Sequence, residues 1–385
     1  MLSIAFYTLS AMAFLIWCPN AIAMWNGFKK LPKLECFDAL SDADCPLLSI
    51  IVPACNEAHT VEPAMRTLLQ IDYPNLQIVA INDRSTDDTG KILDALAKQD
   101  ARLSVLHIAS LPPGWLGKNH ALQRGAAQAS GHWLLFTDAD IHFAPDALRR
   151  ALALARSSEC DHLVALPHMI LEGFWEKILV SFFGVMFCFR FRPWLALQRG
   201  SKWHMGVGAF NLIKATAYRA IGRHENLRMD VLDDVKLGKL VKENGLSQNV
   251  TQAGPLISVR WLPGLGGIVK GLEKNAFAGN SYSWFMTFSG CALIVLTVCW
   301  PFAGIFFAPL IAKLFCAAAI LGMLLAAKTL ARMSPAFSFY ALMWPLSALV
   351  FAYIMLRSAW IATLQGGIRW RGTQYDLNEL KKRQA

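Results

Sequence analysis

Two apolar blocks bracket a polar middle, and this limits the fold before any motif is considered. Residues 2–25 (LSIAFYTLSAMAFLIWCPNAIAMW) contain no charged side chain. As a helix rising about 1.5 Å per residue, such a run crosses the hydrocarbon of a bilayer, so residues 1–27 are expected to form a transmembrane anchor. Lys29, Lys30 and Lys33 follow directly, and positive charge after a span marks the cytoplasmic side. A cleaved signal peptide with Ala21-Ile22-Ala23 as its small-residue site is the alternative. It would need basic residues before the apolar run, and here they come after it.

The second block runs from 284 to 364 in three lobes, 284–309, 311–328 and 336–363, broken at Lys313, at Lys328 with Arg332, and at Pro335. It predicts two or three membrane helices. Three crossings would put the basic tail, residues 365–385 with Arg369, Arg371, Lys381, Lys382 and Arg383, on the far side of the membrane. Two crossings with a re-entrant segment would keep it inside, and both arrangements stay open. With 55% hydrophobic and 17% charged residues, the chain is too apolar for a soluble protein of this length. The expected location is the cell inner (plasma) membrane, multi-pass, with the middle of the chain cytoplasmic. A shorter apolar run, Leu179–Phe191, is flanked by Lys177, Arg190 and Arg192. It predicts an interfacial segment over about 174–192 that lies among the headgroups, with a buried core helix as the alternative. Nine cysteines show no C-x-x-C spacing, which argues for reduced thiols rather than disulfides or zinc ligands. A net charge of +10 concentrated near the apolar blocks suits anionic lipid and a diphosphate, and no nucleic-acid partner is expected.

The middle alternates strand, loop and helix. Apolar runs at 47–52, 77–81, 103–108 and 133–136 predict strands, the first ended by Pro53. Helical patterns follow at 62–69 and around Ile92, Leu93 and Leu96. Repeated in this order they make an α/β, Rossmann-like, mostly parallel sheet. No G-x-G-x-x-G follows the first strand, so an ordinary dinucleotide site is disfavoured. Instead, Asp138 and Asp140 stand where the fourth strand should stop. Ligands gather at that end of such sheets, and a D-x-D pair there can hold a hard divalent cation against a diphosphate. Taken alone, the pair is equally a solvated loop motif.

Six segments in order, SIIVPACNE (49–57), INDRSTDDT (81–89), GKNHALQRG (117–125), TDAD (137–140), GVGAFNLI (206–213) and LDDVKLGKL (232–240), resemble those of membrane-anchored family 2 glycosyltransferases. The flanking anchors are similar to those of members that glycosylate lipids, the hopanoid-associated, carotenoid and ceramide glucosyltransferase-like groups. The resemblance implies a cytoplasmic GT-A domain over 47–270. It also implies inverting, metal-dependent transfer of a sugar from a nucleotide-sugar, a UDP-sugar, to a membrane lipid. Pro53, Asn56 and Glu57 would line the uridine and ribose, and Asp83 would hydrogen-bond the base. The family has Asp-Asp-Gly-Ser where this chain has Asn82-Asp83-Arg84-Ser85, and Asp87 and Asp88 more plainly cap the next helix. Lys118, with Ala121, Leu122 and Gly125, fits a K-x-x-A-L-x-x-G pattern that closes the nucleotide pocket. Asp140 would bind Mg²⁺ or Mn²⁺, and Asp138 the ribose or the metal through water. Asp234 would be the acceptor's base, with Asp233 its neighbour and Asp230 a competitor. Arg260 would contact the diphosphate and Trp261 the acceptor, although Ile257 replaces the first polar residue of the Q/R-x-x-R-W motif. A processive polysaccharide synthase and a catalytically inactive nucleotide-sugar-binding membrane protein are the alternative readings.

Overall fold

The computed structural model describes residues 2–331 and 338–382; Arg332, Pro335 and Arg383 lie outside the described residues. The chain divides into two compact units, residues 31–170 with 193–260, and residues 1–30, 171–192 and 261–385.

The first unit is α/β. Its strands are β1 (Leu48–Ala54), β2 (Leu76–Asp83), β3 (Leu103–Ile108), β4 (Trp133–Phe136), β5 (His142–Phe143), β6 (His162–Leu166), β7 (His168–Met169), β8 (Asn211–Lys214), β9 (Gln248–Gln252) and β10 (Ile257–Val259). Seven of them form one sheet in the order β3-β2-β1-β4-β8-β6-β9. Every residue of β1 is buried, as expected of a central strand covered on both faces. Pro53 does not end β1, which continues to Ala54 and stays in register with β2. The carbonyl of Ile51 accepts from Thr137 N (3.2 Å) on the β4 side, so Pro53, two residues on, turns its missing N–H to that same side. The ladder to β4 has already stopped at Phe136, and no bond is lost.

β8 pairs antiparallel with β4 and with β6, a reversal that hydropathy does not reveal. Because it runs backwards, its first residue Asn211 lies opposite Phe136. The segment before β8 is therefore delivered to the carboxyl end of β4. A separate three-stranded sheet, β5-β10-β7, follows the D-x-D turn. Ile51, Val79, Ile81, Leu134, Phe136 and Ile213 from the sheet, with Ala121, Leu122, Leu237 and Val241 from helices, form a continuous core. Most of the K-x-x-A-L-x-x-G pattern is thereby explained by packing. Ala121 and Leu122 are buried, and a Cβ on Gly125 would run into Ile81 and Ile51.

The second unit is helical and apolar. Helices Leu2–Phe28, Phe174–Phe191, Trp284–Phe307, Leu310–Leu330 and Trp344–Leu364 are its long members, and among the described residues five segments are long and apolar enough to cross a membrane. The C-terminal block thus forms three such helices. The 174–191 helix is longer than the 179–191 run because Phe174–Ile178 continues it. The first helix approaches its neighbours through small and polar contacts: Trp17 Nε1 donates to the Thr297 carbonyl (3.1 Å), and Trp300 Nε1 to Ser10 Oγ (2.9 Å). Gly322 lies against the Trp17 backbone. Lys274 stands 4.0 Å over the ring of Trp370 in the hairpin of β11 (Gly367–Trp370) and β12 (Thr373–Asp376).

Candidate active site

The site sits at the carboxyl ends of β1, β2 and β4. After β1 the chain turns through Asn56 in a left-handed conformation (φ 57°). The Asn56 side-chain oxygen accepts from Thr86 N (2.8 Å), and Glu57 N donates to Thr89 Oγ1 (2.8 Å). Asp87 completes this tie by accepting from Ala58 N (3.1 Å) and from Thr89 N (3.0 Å). It bonds the start of the next helix, while Asp88 pairs outward with Lys91 (2.7 Å). The loops after β1 and β2 are therefore one hydrogen-bonded body. Pro53 is buried within β1 and Asn56 is exposed at the loop tip.

Lys118 is the hub. Its ammonium lies 2.8 Å from Asp138 and 3.7 Å from Asp233. Burial works against its charge, but Asp138, Asp233 and Asp234 outweigh burial and raise its pKa above the usual ammonium value. Asp138 N donates to the Gly208 carbonyl (2.9 Å), and Thr137 Oγ1 to that of Ala209 (2.8 Å). The antiparallel entry into β8 thus clamps the D-x-D turn. Gly206 has no room for a side chain, because a Cβ would collide with the Asp234 carbonyl, and a Cβ on Gly208 would press on the Asp138 carboxylate. Asn119 Nδ2 donates to the carbonyl of Asp230 (2.9 Å), and Leu116 N to that of Arg228 (2.7 Å). These bonds fasten the start of the Gly117–Gln128 helix to the loop that launches Asp233–Glu243. Lys118, Asp138, Gly208, Asp233 and Asp234 consequently line one small cleft.

Asp234 is half-buried and its Oδ1 accepts from Val235 N (2.8 Å). Burial raises its pKa, against the pull of Lys118, which makes it a stronger proton acceptor than a solvated carboxylate. Asp230 is buried and ion-paired to Lys236, a structural employment. Burial also pushes Asp140 above the carboxylate range, aided by the charges of Asp138 and Glu57. The carboxylates of Asp138 and Asp140 are hard oxygen donors of the kind a divalent cation takes. Among the described residues, no three His, Cys, Asp or Glu side chains converge to hold a metal by themselves. A cation here would complete its shell with ligand oxygens and water, as Mg²⁺ commonly does.

The unit therefore gathers Glu57, Lys118, Asp138, Asp140, Asp233 and Asp234. Arg260 follows β10 and is exposed, whereas Trp261 belongs to the apolar unit, its ring centroid 5.0 Å from that of Phe183. Asn119, Gly206 and Gly208 had no role from sequence, although the GKNHALQRG and GVGAFNLI segments contain them.

Residues 49–222 match the model of glycosyl transferase family 2. The chain carries a family 2 glycosyltransferase domain. Its architecture agrees with that of a solved mannosyltransferase from Pyrobaculum calidifontis, in complex with GDP-Man and Mn²⁺, at a TM-score of 0.56. The match covers 92% of this chain and 99% of that one at 17% identity, a likeness of fold. A beta-monoglucosyldiacylglycerol synthase from Nostoc is 35% identical over 136 residues, 34% of this chain and 29% of the relative. A GalNAc(5)-diNAcBac-PP-undecaprenol beta-1,3-glucosyltransferase from Campylobacter jejuni is 32% identical over 103 residues, 27% of this chain and 32% of the relative. The chain covers less than half the length of the curated relatives it matches.

Proposed function

We propose that the protein is an inverting glycosyltransferase that moves one sugar from a UDP-sugar to a hydroxylated membrane lipid at the cytoplasmic face of the inner membrane. The observation that carries this reading is the Lys118 bridge. It joins the D-x-D turn, suited to the donor's diphosphate, to the acidic pair suited to the acceptor. Asp138 and Asp140 would hold Mg²⁺ or Mn²⁺, which when bound neutralises charge on the leaving diphosphate. Asp234 takes the proton of the acceptor hydroxyl as its oxygen forms a bond to the anomeric carbon. The bond from that carbon to the diphosphate oxygen breaks, and UDP leaves with the electron pair. A single displacement turns an α-linked donor into a β-linked product. Arg260 is proposed as a diphosphate contact and Trp261 as an acceptor contact.

The lipid acceptor is supported by the apolar helices of the second unit and by the lipid named for the Nostoc relative. The cytoplasmic side is supported by Lys29, Lys30 and Lys33. Incubating membranes with a panel of radiolabelled UDP-sugars and extracting the lipid phase tests the reading, and label is expected in lipid. Label in polymer would indicate a processive synthase. UDP-sugar binding without any turnover would indicate an inactive binding protein.

A further inference from the structure

The carboxylate expected to bond the nucleobase is already taken. Asp83 has no exposed surface, and both its oxygens accept from the neighbouring guanidinium, Oδ1 from Arg84 Nε (2.7 Å) and Oδ2 from Arg84 Nη2 (3.0 Å). Such a fork is among the strongest geometries available to a carboxylate; it fills one acceptor position on each oxygen, and the others are buried with Asp83. Arg84 is the accessible member, its side chain 19% exposed against 0% for Asp83.

The pair is built into the fold. Arg84 adopts φ 55°, a left-handed conformation that costs a non-glycine residue energy unless its surroundings hold it there. Its backbone N–H donates to the carbonyl of Ile108 at the end of β3 (3.2 Å). Gly117 makes room for the pair, because a Cβ there would strike both the Arg84 guanidinium and the Asp83 carboxylate. The next residue is Lys118, which reaches Asp138. The Gly117-Lys118 dipeptide thus places the Arg84–Asp83 pair and the D-x-D turn at one helix start. In the same helix, His120 interacts electrostatically with Asp83 and Arg84. Its buried Nδ1 has no hydrogen-bond partner, a polar atom that a ligand would satisfy.

We propose that Arg84 is the base-reading residue of the donor site and that Asp83 is its buried positioning residue, so that the protein donates to acceptor atoms of the nucleobase. This rests on the nucleotide-sugar reading above. A guanidinium only donates. It therefore donates to the keto oxygens of uracil and also to the O2 and N3 acceptors of cytosine, whereas a carboxylate facing N3 is satisfied by the N3–H of uracil and meets a lone pair in cytosine.

The test measures UDP and CDP binding, with Mn²⁺, to the full chain in detergent for the wild type, Arg84→Gly and Arg84→Lys. Glycine adopts φ 55° at no steric cost, and its introduction uncovers Asp83. Arg84→Gly is expected to weaken UDP about tenfold and CDP about a hundredfold, a tenfold rise in UDP over CDP selectivity, since a group lost from a buried polar site commonly costs about a factor of ten per bond. Arg84→Lys retains the charge but lacks the fork, and is expected to weaken both nucleotides at least threefold. Unchanged selectivity in Arg84→Gly, or unchanged affinity for both nucleotides in Arg84→Lys, overturns the assignment of Arg84 while leaving the nucleotide-sugar reading in place. Failure of the wild type to bind any nucleoside diphosphate overturns that reading itself, and the assignment with it.

Discussion

Asp140, Asp234 and Gly208 separate the roles within the cleft. Asp140→Ala is expected to lower transfer about 10²–10³-fold, the usual cost of removing one group that stabilises developing charge. EDTA should produce a comparable loss, and activity undiminished by either treatment would refute the cation site. Asp234→Asn removes the proton acceptor while preserving shape, so turnover should fall to background while UDP binding with Mn²⁺ stays within about threefold of wild type. Calorimetry on that variant decides the point, because lost UDP binding would place Asp234 on the donor side. Gly208→Ala introduces a methyl into the Asp138 carboxylate. It should weaken UDP at least tenfold while leaving far-UV circular dichroism unchanged. An affinity equal to wild type would mean that the clamp on Asp138 has slack.

At the scale of elements, the half of the sheet that contains the reversed strand β8 is stapled by a buried polar network. His162 on β6 has its Nε2 3.1 Å from Asn211 Oδ1 on β8, and Gln248 Nε2 on β9 lies 2.8 Å from its Nδ1. The amide oxygen accepts and the amide nitrogen donates, so the ring fits as the neutral Nε2–H tautomer. Burial depresses its pKa to about 4, although the Asn211 bond pulls the other way. A folded pKa below the unfolded value of about 6.5 means that the unfolded chain binds the proton first. Stability from this group is therefore full above pH 6.5 and is lost as pH falls from 6.5 through 4, by up to about 3 kcal/mol. Melting temperature in detergent should fall over that window, and His162→Asn should flatten the fall. An unaltered pH profile in the variant would assign acid sensitivity elsewhere, with buried His224, its pKa also pushed down to about 3 by burial, the next candidate. Strands β1 to β4 were legible because each is a short, largely apolar run bounded by polar turns. β8 was hidden because NLIK carries no direction, and antiparallel pairing there follows from which neighbours the fold supplies.

For the whole molecule, sidedness is the testable quantity. With Lys29, Lys30 and Lys33 retained inside, protease added to intact cells should leave residues 47–262 uncut, and the same protease should cut them in inverted vesicles. Cleavage in intact cells would reverse the proposed orientation. By itself the sequence determined that apolar helices flank an α/β transferase domain, and it placed the D-x-D turn at a strand end. Those features are local: hydropathy over a window of about 20 residues, a period-two run, a carboxylate pair one residue apart. Only the tertiary structure decided that Lys118 joins Asp138 to Asp233, that a side chain on Gly208 would meet the Asp138 carboxylate, and that Arg84 covers Asp83. Those are contacts among side chains brought to one sheet edge by a reversed strand and a helix start. Packing and hydrogen bonding across distant segments choose such partners, and no periodicity along the chain encodes them.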